Sequence, residues 1–306
     1  MTNNALARRR RKGLRNRSVF PFVNAAGMLL MMFVTLYPVL NTVAISFNDG
    51  TDAIRGGIGL LPRIFSFKSY ETIFADEIIF NAFFITIART VIQMVLNVVL
   101  TSMLAFALSR REYVLRKFIT TAMVITMYVN AGLIPNYLLI QRTLGLGRSF
   151  WVYIIPTMFS CFNMIVMRTY ILGLPEELVE SARIDGAGDF YLFWRIIFPL
   201  MLPVVATVAL FVAVGAWNSW FDTHLYNAGK VRLHTLQYLL KMKLATTTNS
   251  ANAAMTTADA ASSITHTTPI TIRAAITVVS AAPIMAIYPF LQRYFVTGLS
   301  VGSIKG

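Results

Sequence analysis

The sequence predicts an all-α membrane protein with six transmembrane helices, because it is strongly apolar, carries little charge and contains long apolar runs. Of its 306 residues, 56% are hydrophobic and only 13% are charged, whereas about a quarter of the residues in a soluble domain are charged. A transmembrane helix needs about 20 mostly apolar residues. Six segments meet that length, near 20–46, 78–109, 118–140, 150–172, 196–221 and 271–295.

The basic residues at the start of the chain predict its orientation. Seven of the 27 Lys and Arg residues lie in the tail formed by residues 1–18, directly before the first apolar run. Lys and Arg beside a first span stay on the cytoplasmic side, so we interpret this charge as an orientation signal rather than a nucleic-acid interface. Six spans in residues 19–295 then return the C-terminal tail, 296–306, to the cytoplasm. The apolar run is too long for the core of a signal peptide.

Two long loops are predicted on the outer side, at 47–77 and 222–270. The second contains a biased stretch, 245–268, in which 20 of 24 residues are Ala, Thr, Ser or Asn. Such a composition buries little apolar surface. It is typical either of a mobile loop or of a docking element built from short helices.

The loop between the fourth and fifth spans, 173–195, predicts a short polar helix on the cytoplasmic face. Pro175 suits the first turn of a helix, and Glu180 and Arg183 stand three apart, where they can pair. Gly186 favours the left-handed conformation that ends a helix, and Asp189 can cap the helix that follows. An ordinary amphipathic helix at the membrane interface is the alternative interpretation.

The spacing within residues 180–199 resembles the coupling motif of the permeases of ABC importers. That motif reads Glu-Ala-Ala, three residues, Gly, nine residues, Ile, one residue, Leu-Pro. The matching positions here are Glu180, Ser181, Ala182, Gly186, Ile196, Phe198 and Pro199. Ser181 and Phe198 depart from the motif without changing its register.

Other segments are similar to the oligosaccharide branch of the same family. They are 104–110, 132–137, Trp217–Asn218 and the end of the chain from Tyr288. The six-span form resembles the smaller permease of maltose-type importers, in the sub-branch for complex oligosaccharides. The family implies the bacterial cytoplasmic membrane, a homologous second permease, two ATP-binding subunits with ATP and Mg, an extracytoplasmic sugar-binding protein and a sugar substrate. It also implies that coupling to the ATPase involves Glu177, Glu180, Ser181, Ala182, Asp185, Gly186 and Ala187.

The chain itself is predicted to be non-catalytic. Its sequence contains no Gly-x-x-x-x-Gly-Lys-Ser/Thr loop to hold nucleotide phosphates, and no pattern of nucleophile and base. Its three histidines are too widely spaced to predict a metal site. Within the family, import of another solute such as glycerol phosphate or a polyamine is the alternative, and a secondary transporter is the alternative outside it.

Polar residues within the spans are candidates for a sugar pathway. Arg89, Gln93, Asn97 and Thr101 recur every four residues and therefore share one face of the second span. They line a pathway, or they bond across spans as packing residues. The other candidates are Trp217, Asn218 and Trp220 at the end of the fifth span, and Asn136 and Tyr137 in the third. The tryptophans also suit an aromatic belt at the membrane interface.

Overall fold

The computed structural model describes residues 20–129, 131–243 and 267–301, and these ranges are mostly helical, with no β-strand. The all-α class predicted from the sequence is therefore confirmed. The basic tail and nearly all of the stretch 245–268 lie outside the described residues. The last described helix extends to Val301 and includes the first residues of the predicted C-terminal tail, 296–306.

The described α-helices are, in chain order, α1 (Phe20–Ser46), α2 (Gly50–Ile54), α3 (Lys68–Ala75), α4 (Glu77–Ser109), α5 (Arg116–Tyr128), α6 (Leu133–Leu138), α7 (Cys161–Leu172), α8 (Glu177–Ile184), α9 (Asp189–Tyr191), α10 (Phe198–Leu200), α11 (Leu202–Asn218), α12 (236–243) and α13 (Pro269–Val301). Short 3₁₀ turns lie at Phe150–Tyr153, Ile155–Thr157 and Val231–Leu233, and π-helical turns at Leu139–Thr143, Leu192–Ile197 and Thr223–Asn227.

Three of the described helices, α1, α4 and α13, are long and apolar enough to cross a membrane. The other three predicted spans are pairs of shorter helices joined at a bend, so they are not the continuous helices that the apolar runs predict. The bend is 45° between 150–157 and α7, and 80° between 189–200 and α11. Counting each bent pair as one span gives up to six.

Proline explains the 80° bend before α11. Pro199 and Pro203 flank Met201, where the backbone leaves the helical conformation (φ −92°, ψ 8°). Proline has no N–H to donate, and its ring clashes with the preceding turn. The helix is therefore interrupted between Pro199 and Pro203 even though every side chain from 198 to 205 is apolar.

The chain forms two compact units. The first contains residues 20–69 and 267–275, in which Asn48 organises the loop after α1. The Asn48 Oδ1 atom accepts hydrogen bonds from the backbone N–H groups of Arg63 (2.9 Å) and Ile64 (3.0 Å), and its Nδ2 atom donates to Asp52 Oδ2 (2.8 Å). The start of the predicted outer loop is therefore an ordered turn.

The second unit contains residues 70–243 and 276–301. Its core lies where α4, α7 and α11 pack together around the fully buried Leu108, Met164, Met167 and Val208. α4 is the central element, since it is 33 residues long, or about 50 Å at the rise of an α-helix. Its middle carries the polar face that contains Arg89 and Thr101, and Glu112, in the loop after it, contacts α8.

Candidate functional site

The first candidate site is α8, which ends in the manner that its glycine predicts. Gly186 has φ +80°, a conformation that other residues rarely adopt. Its N–H donates to Arg183 O (3.0 Å), and the N–H of Ala187 donates to Ala182 O (2.9 Å). These two bonds form a Schellman motif, which satisfies the last carbonyls of the helix and turns the chain sharply.

The two faces of α8 have opposite environments. Val179 and Ala182 are buried in the core of the second unit, which also includes Leu192 and Ile197. On the other face, Ile184 is 87% exposed. The coupling candidates Glu177, Glu180, Ser181, Asp185 and Gly186 are also exposed, and Ala187 is half-buried.

Ala182 differs from the other coupling candidates, because only 8% of the residue is exposed. Its methyl group packs inside the chain, so its small side chain allows α8 to pack closely against the core.

Arg183 fixes α8 to the loop after α4. Its Nη1 atom donates to Glu112 Oε1, and its Nη2 atom donates to Asp189 Oδ1 (3.3 Å). The hydrogen bond from Arg183 lowers the pKa of the Glu112 carboxyl below its ordinary value. The pairing of Arg183 with Glu180 expected from their spacing is absent among these contacts, because the guanidinium points toward the α4–α5 loop instead.

The second candidate site is the polar face of α4, where Arg89 is almost completely buried (1% exposed). Its guanidinium donates to both carboxylate oxygens of Asp222, with Nη1 3.1 Å from Oδ1, and to the carbonyl of Ser219 (3.4 Å). Its Cζ atom lies 4.7 Å from the centre of the Tyr153 ring. Arg89 therefore ties α4 to the turn that follows α11.

The remaining polar side chains of this face also bond within the chain. Asn97 Nδ2 donates to the carbonyl of Thr157 (3.0 Å), at the break before α7, and Asn163 Nδ2 donates to Asn97 Oδ1 (3.3 Å). Thr101 Oγ1 lies 3.5 Å from the same oxygen. Gln93 is buried, and its Oε1 atom has no partner among the described residues. These contacts favour the packing interpretation, while pathway lining by Arg89, Gln93 and Asn97 stays a prediction.

The candidates at the end of α11 separate into a buried residue and two accessible ones. Trp217 is 6% exposed, and its Nε1 donates to the carbonyl of Ser280 in α13 (2.8 Å). Asn218 is exposed and Trp220 is half-buried. Trp217 therefore anchors helices, and only Asn218 and Trp220 are accessible in the isolated chain.

The last two candidates lie in α6. Asn136 is exposed, and Tyr137 stacks on Tyr226 with the ring centres 5.7 Å apart and the planes 11° apart. The stacked pair presents a half-buried aromatic edge.

The structure identifies two residues of the candidate sites that the sequence analysis did not. Asp222 was placed at the start of an outer loop, but it is the partner of Arg89 across 133 positions, and no local pattern reveals such a pair. Ile184 carries a local signal, since it is an isoleucine between Arg183 and Asp185 on a polar helix.

Comparison with known proteins agrees with this arrangement. Residues 97–301 match the family model described as "Binding-protein-dependent transport system inner membrane component". The chain is 33% identical to the polygalacturonan/rhamnogalacturonan transport system permease protein YtcP of Bacillus subtilis (strain 168), over 92% of this chain and 96% of the relative. It is 27% identical to the arabinooligosaccharides transport system permease protein AraQ of Halalkalibacterium halodurans, over 92% and 95%.

Among solved structures, the chain is similar to a bacterial ABC transporter involved in the import of the acidic polysaccharide alginate. The TM-score is 0.81 at 29% sequence identity, with 92% of this chain and 98% of that chain covered. The resemblance to ABC-importer permeases found in residues 180–199 is thereby confirmed. The chain belongs to the family of inner membrane components of binding-protein-dependent transport systems.

Proposed function

We propose that the chain is one permease subunit of an ATP-driven importer of oligosaccharides. With a homologous second permease it forms the translocation pathway for a sugar that an extracytoplasmic binding protein delivers. Two partner subunits bind ATP and Mg and hydrolyse the nucleotide. The sugar-import permeases among the relatives support the substrate class, and the family supports the assembly.

The proposed topology has six spans, with each bent pair of helices counted as one. The basic residues of the N-terminal tail favour a cytoplasmic N-terminus, and six spans place the C-terminus on the same side. α8 then lies in the cytoplasm between the fourth and fifth spans. The segment 219–243 after α11 lies on the outer side of the bacterial cytoplasmic membrane.

The observation that carries the proposal is the two-faced packing of α8. Its inner face, Val179 and Ala182, contacts the core that contains the beginning of the fifth span, and its outer face is exposed. A force applied to the outer face therefore reaches the membrane core directly, because a packed interior transmits displacement rather than absorbing it. A coupling helix that follows the movement of the ATPase requires this arrangement.

The accessible polar side chains are the better candidates for contact with sugar. Asn136 and Asn218 are exposed, and Tyr137 and Trp220 are half-buried. Together they offer amide groups and aromatic faces, and such groups orient ligands in binding sites. The spans beneath these side chains are held together by the buried residues Arg89, Asn97 and Trp217.

The test replaces Gly186 with Val and with Asn, and uses Gly188→Val as the matched control. Nothing lies within 4 Å of a Cβ atom added at either glycine, so the substitutions create no internal clash. Only Gly186 has a positive φ; Val resists that conformation at a cost of about 1–3 kcal/mol, whereas Asn tolerates it.

We expect Gly186→Val to abolish ATP-dependent sugar uptake, and Gly186→Asn and Gly188→Val to retain most of it. Uptake is measured in membrane vesicles that contain the binding protein and the ATPase, with recovery of the tagged chain as the check on insertion. Full uptake by Gly186→Val would show that the shape of this turn is not needed for coupling. Uptake by the chain in the absence of any ATPase would contradict the proposed function itself.

A further inference from the structure

Four side chains form an accessible surface where α11 and α12 approach each other. We call this surface the Trp220 ledge, and it consists of Asn218, Trp220, Gln237 and Lys241. The Lys241 ammonium lies 4.9 Å from the centre of the Trp220 ring, and Gln237 Nε2 donates to Asn218 Oδ1 (3.3 Å). An indole, two amides and a cation therefore lie side by side.

The ledge is held in place by buried contacts beneath it. Arg89 bonds the carbonyl of Ser219, which lies between Asn218 and Trp220 in the sequence, and both oxygens of Asp222. The hydroxyl groups of Thr223 and Thr235, both fully buried, lie 3.0 Å apart and join the turn to the residue before α12. The ledge is therefore preformed, which reduces the entropic cost of binding a ligand.

The charge of this surface is positive, because Lys241 is its one ionisable side chain. In the wider segment 219–243, Lys243 pairs with Asp76 (3.7 Å), and the one carboxylate is that of Asp222. Arg89 neutralises that carboxylate from the buried side. Lys241 is exposed and forms no ion pair with a carboxylate among the described residues, so its ammonium is available to an anion.

We propose that the Trp220 ledge is a subsite for a sugar residue that bears a carboxylate, so that the imported oligosaccharide is acidic. The Lys241 ammonium donates to the carboxylate, in the stronger class of hydrogen bonds between charged groups. The indole covers the apolar face of the sugar ring, and the amides of Asn218 and Gln237 bond its hydroxyls. Lys241 exchanges its contact with the ring of Trp220 for the carboxylate as the sugar enters.

This inference rests on the proposed function, including the outward placement of residues 219–243. It deepens that function by naming the substrate class. A polygalacturonan/rhamnogalacturonan permease and an alginate importer are similar to this chain, and the ledge supplies a physical reason for preferring uronates. The buried Arg89 is a positioning residue here, since it contacts the turn and not the sugar.

The test measures sugar binding directly on the purified transporter, without the binding protein and without transport. Trigalacturonate and an alginate trisaccharide are titrated while tryptophan fluorescence is recorded, and the methyl ester of trigalacturonate serves as the uncharged probe. We expect a signal that Trp220→Phe abolishes, with weaker binding of the ester. Lys241→Gln raises the half-saturating concentration of the acidic probes about tenfold, the loss expected for one hydrogen bond to a charged group.

Lys230→Gln is the matched control, because Lys230 lies in the same segment but donates to the carbonyl of Arg148 (2.7 Å). It leaves the affinity for the acidic probes unchanged. Equal affinity for trigalacturonate and its ester, or no signal dependent on Trp220 with either acidic probe, overturns the inference. The inference is also overturned if the Lys241→Gln variant binds the acidic probes normally but no longer associates with the binding protein. A transporter that does not bind the acidic probes but takes up neutral oligosaccharides still supports the proposed function.

Discussion

Two arginine–carboxylate pairs join α4 and the loop after it to other parts of the chain, and the two pairs lie in different surroundings. The side chains of Arg89, within α4, and Asp222 are 1% and 21% exposed. Those of Arg183 and Glu112, which lies in the loop after α4, are 32% and 67% exposed. The chemistry of the two pairs is the same, so the difference between them lies in access to water.

Burial decides how each pair behaves when it is disturbed. A buried pair that loses one partner leaves a charge in a medium that cannot solvate it. An exposed pair that separates is rehydrated at little cost. The contact made by Arg89 is therefore built to stay closed, whereas the contact made by Arg183 can rearrange. In the proposed importer, the contact that rearranges is the one that follows the ATPase.

Replacing Arg89 with Met is expected to have the largest effect, because it leaves the Asp222 carboxylate without its partner. The loss of stability is about 3–5 kcal/mol by analogy with other buried pairs. It is measured as the fall in the unfolding midpoint of the purified protein in detergent. Arg142→Met is the control, since Arg142 is exposed. Equal midpoints for the two variants would mean that the pair does not hold the helices.

The double variant Arg89→Met, Asp222→Leu sharpens the same comparison. It removes both charges and fills the space with apolar atoms, which is often close to neutral for a buried ion pair. We therefore expect its unfolding midpoint to lie well above that of Arg89→Met alone. A double variant that is less stable than the single one would show that Asp222 has another essential role, for instance as the cap of the π-helical turn that begins at Thr223.

Arg183→Gln gives the smallest expected effect on stability, because exposed ion pairs contribute little. Its unfolding midpoint stays close to that of the wild type at neutral pH. The pKa of Glu112 is lowered by Arg183 from an ordinary value of 4.5, so the contribution of this pair is complete above that pH and disappears as pH falls through the lowered pKa. A midpoint that changes between pH 6 and 8 in the wild type, but not in Arg183→Gln, would contradict this assignment.

Features that depend on neighbouring residues could be predicted from the sequence, whereas contacts between distant residues could not. Apolar length predicted the described helices α1 and α4 to within one residue at each end, and the spacing around Gly186 predicted the end of α8. Local patterns suffice there because hydrophobicity and backbone conformation are properties of neighbouring residues. The bend between Pro199 and Pro203 could also be predicted, since proline interrupts a helix. Apolar composition alone does not predict it.

The contacts across the fold could not be predicted. Asp222 follows an apolar span and is typical of a loop until Arg89, 133 positions earlier, is placed against it. Ala182 belongs to a motif that implies a partner, yet its burial depends on how α8 rotates on the core. Periodicity identifies the face of a helix on which a residue lies, but not which neighbour that face meets.

The central claim is that the outer face of α8 couples this chain to its ATPase, and Ile184→Glu tests it most directly. Ile184 is 87% exposed, so a charge there costs the fold little but opposes an apolar contact with a partner. Val114→Glu is the control, at an equally exposed apolar residue (91%) in the α4–α5 loop. The measurement is the amount of ATPase recovered with each tagged chain, together with sugar uptake. We predict loss of both for Ile184→Glu and retention of both for Val114→Glu; normal recovery and uptake with Ile184→Glu would contradict the claim.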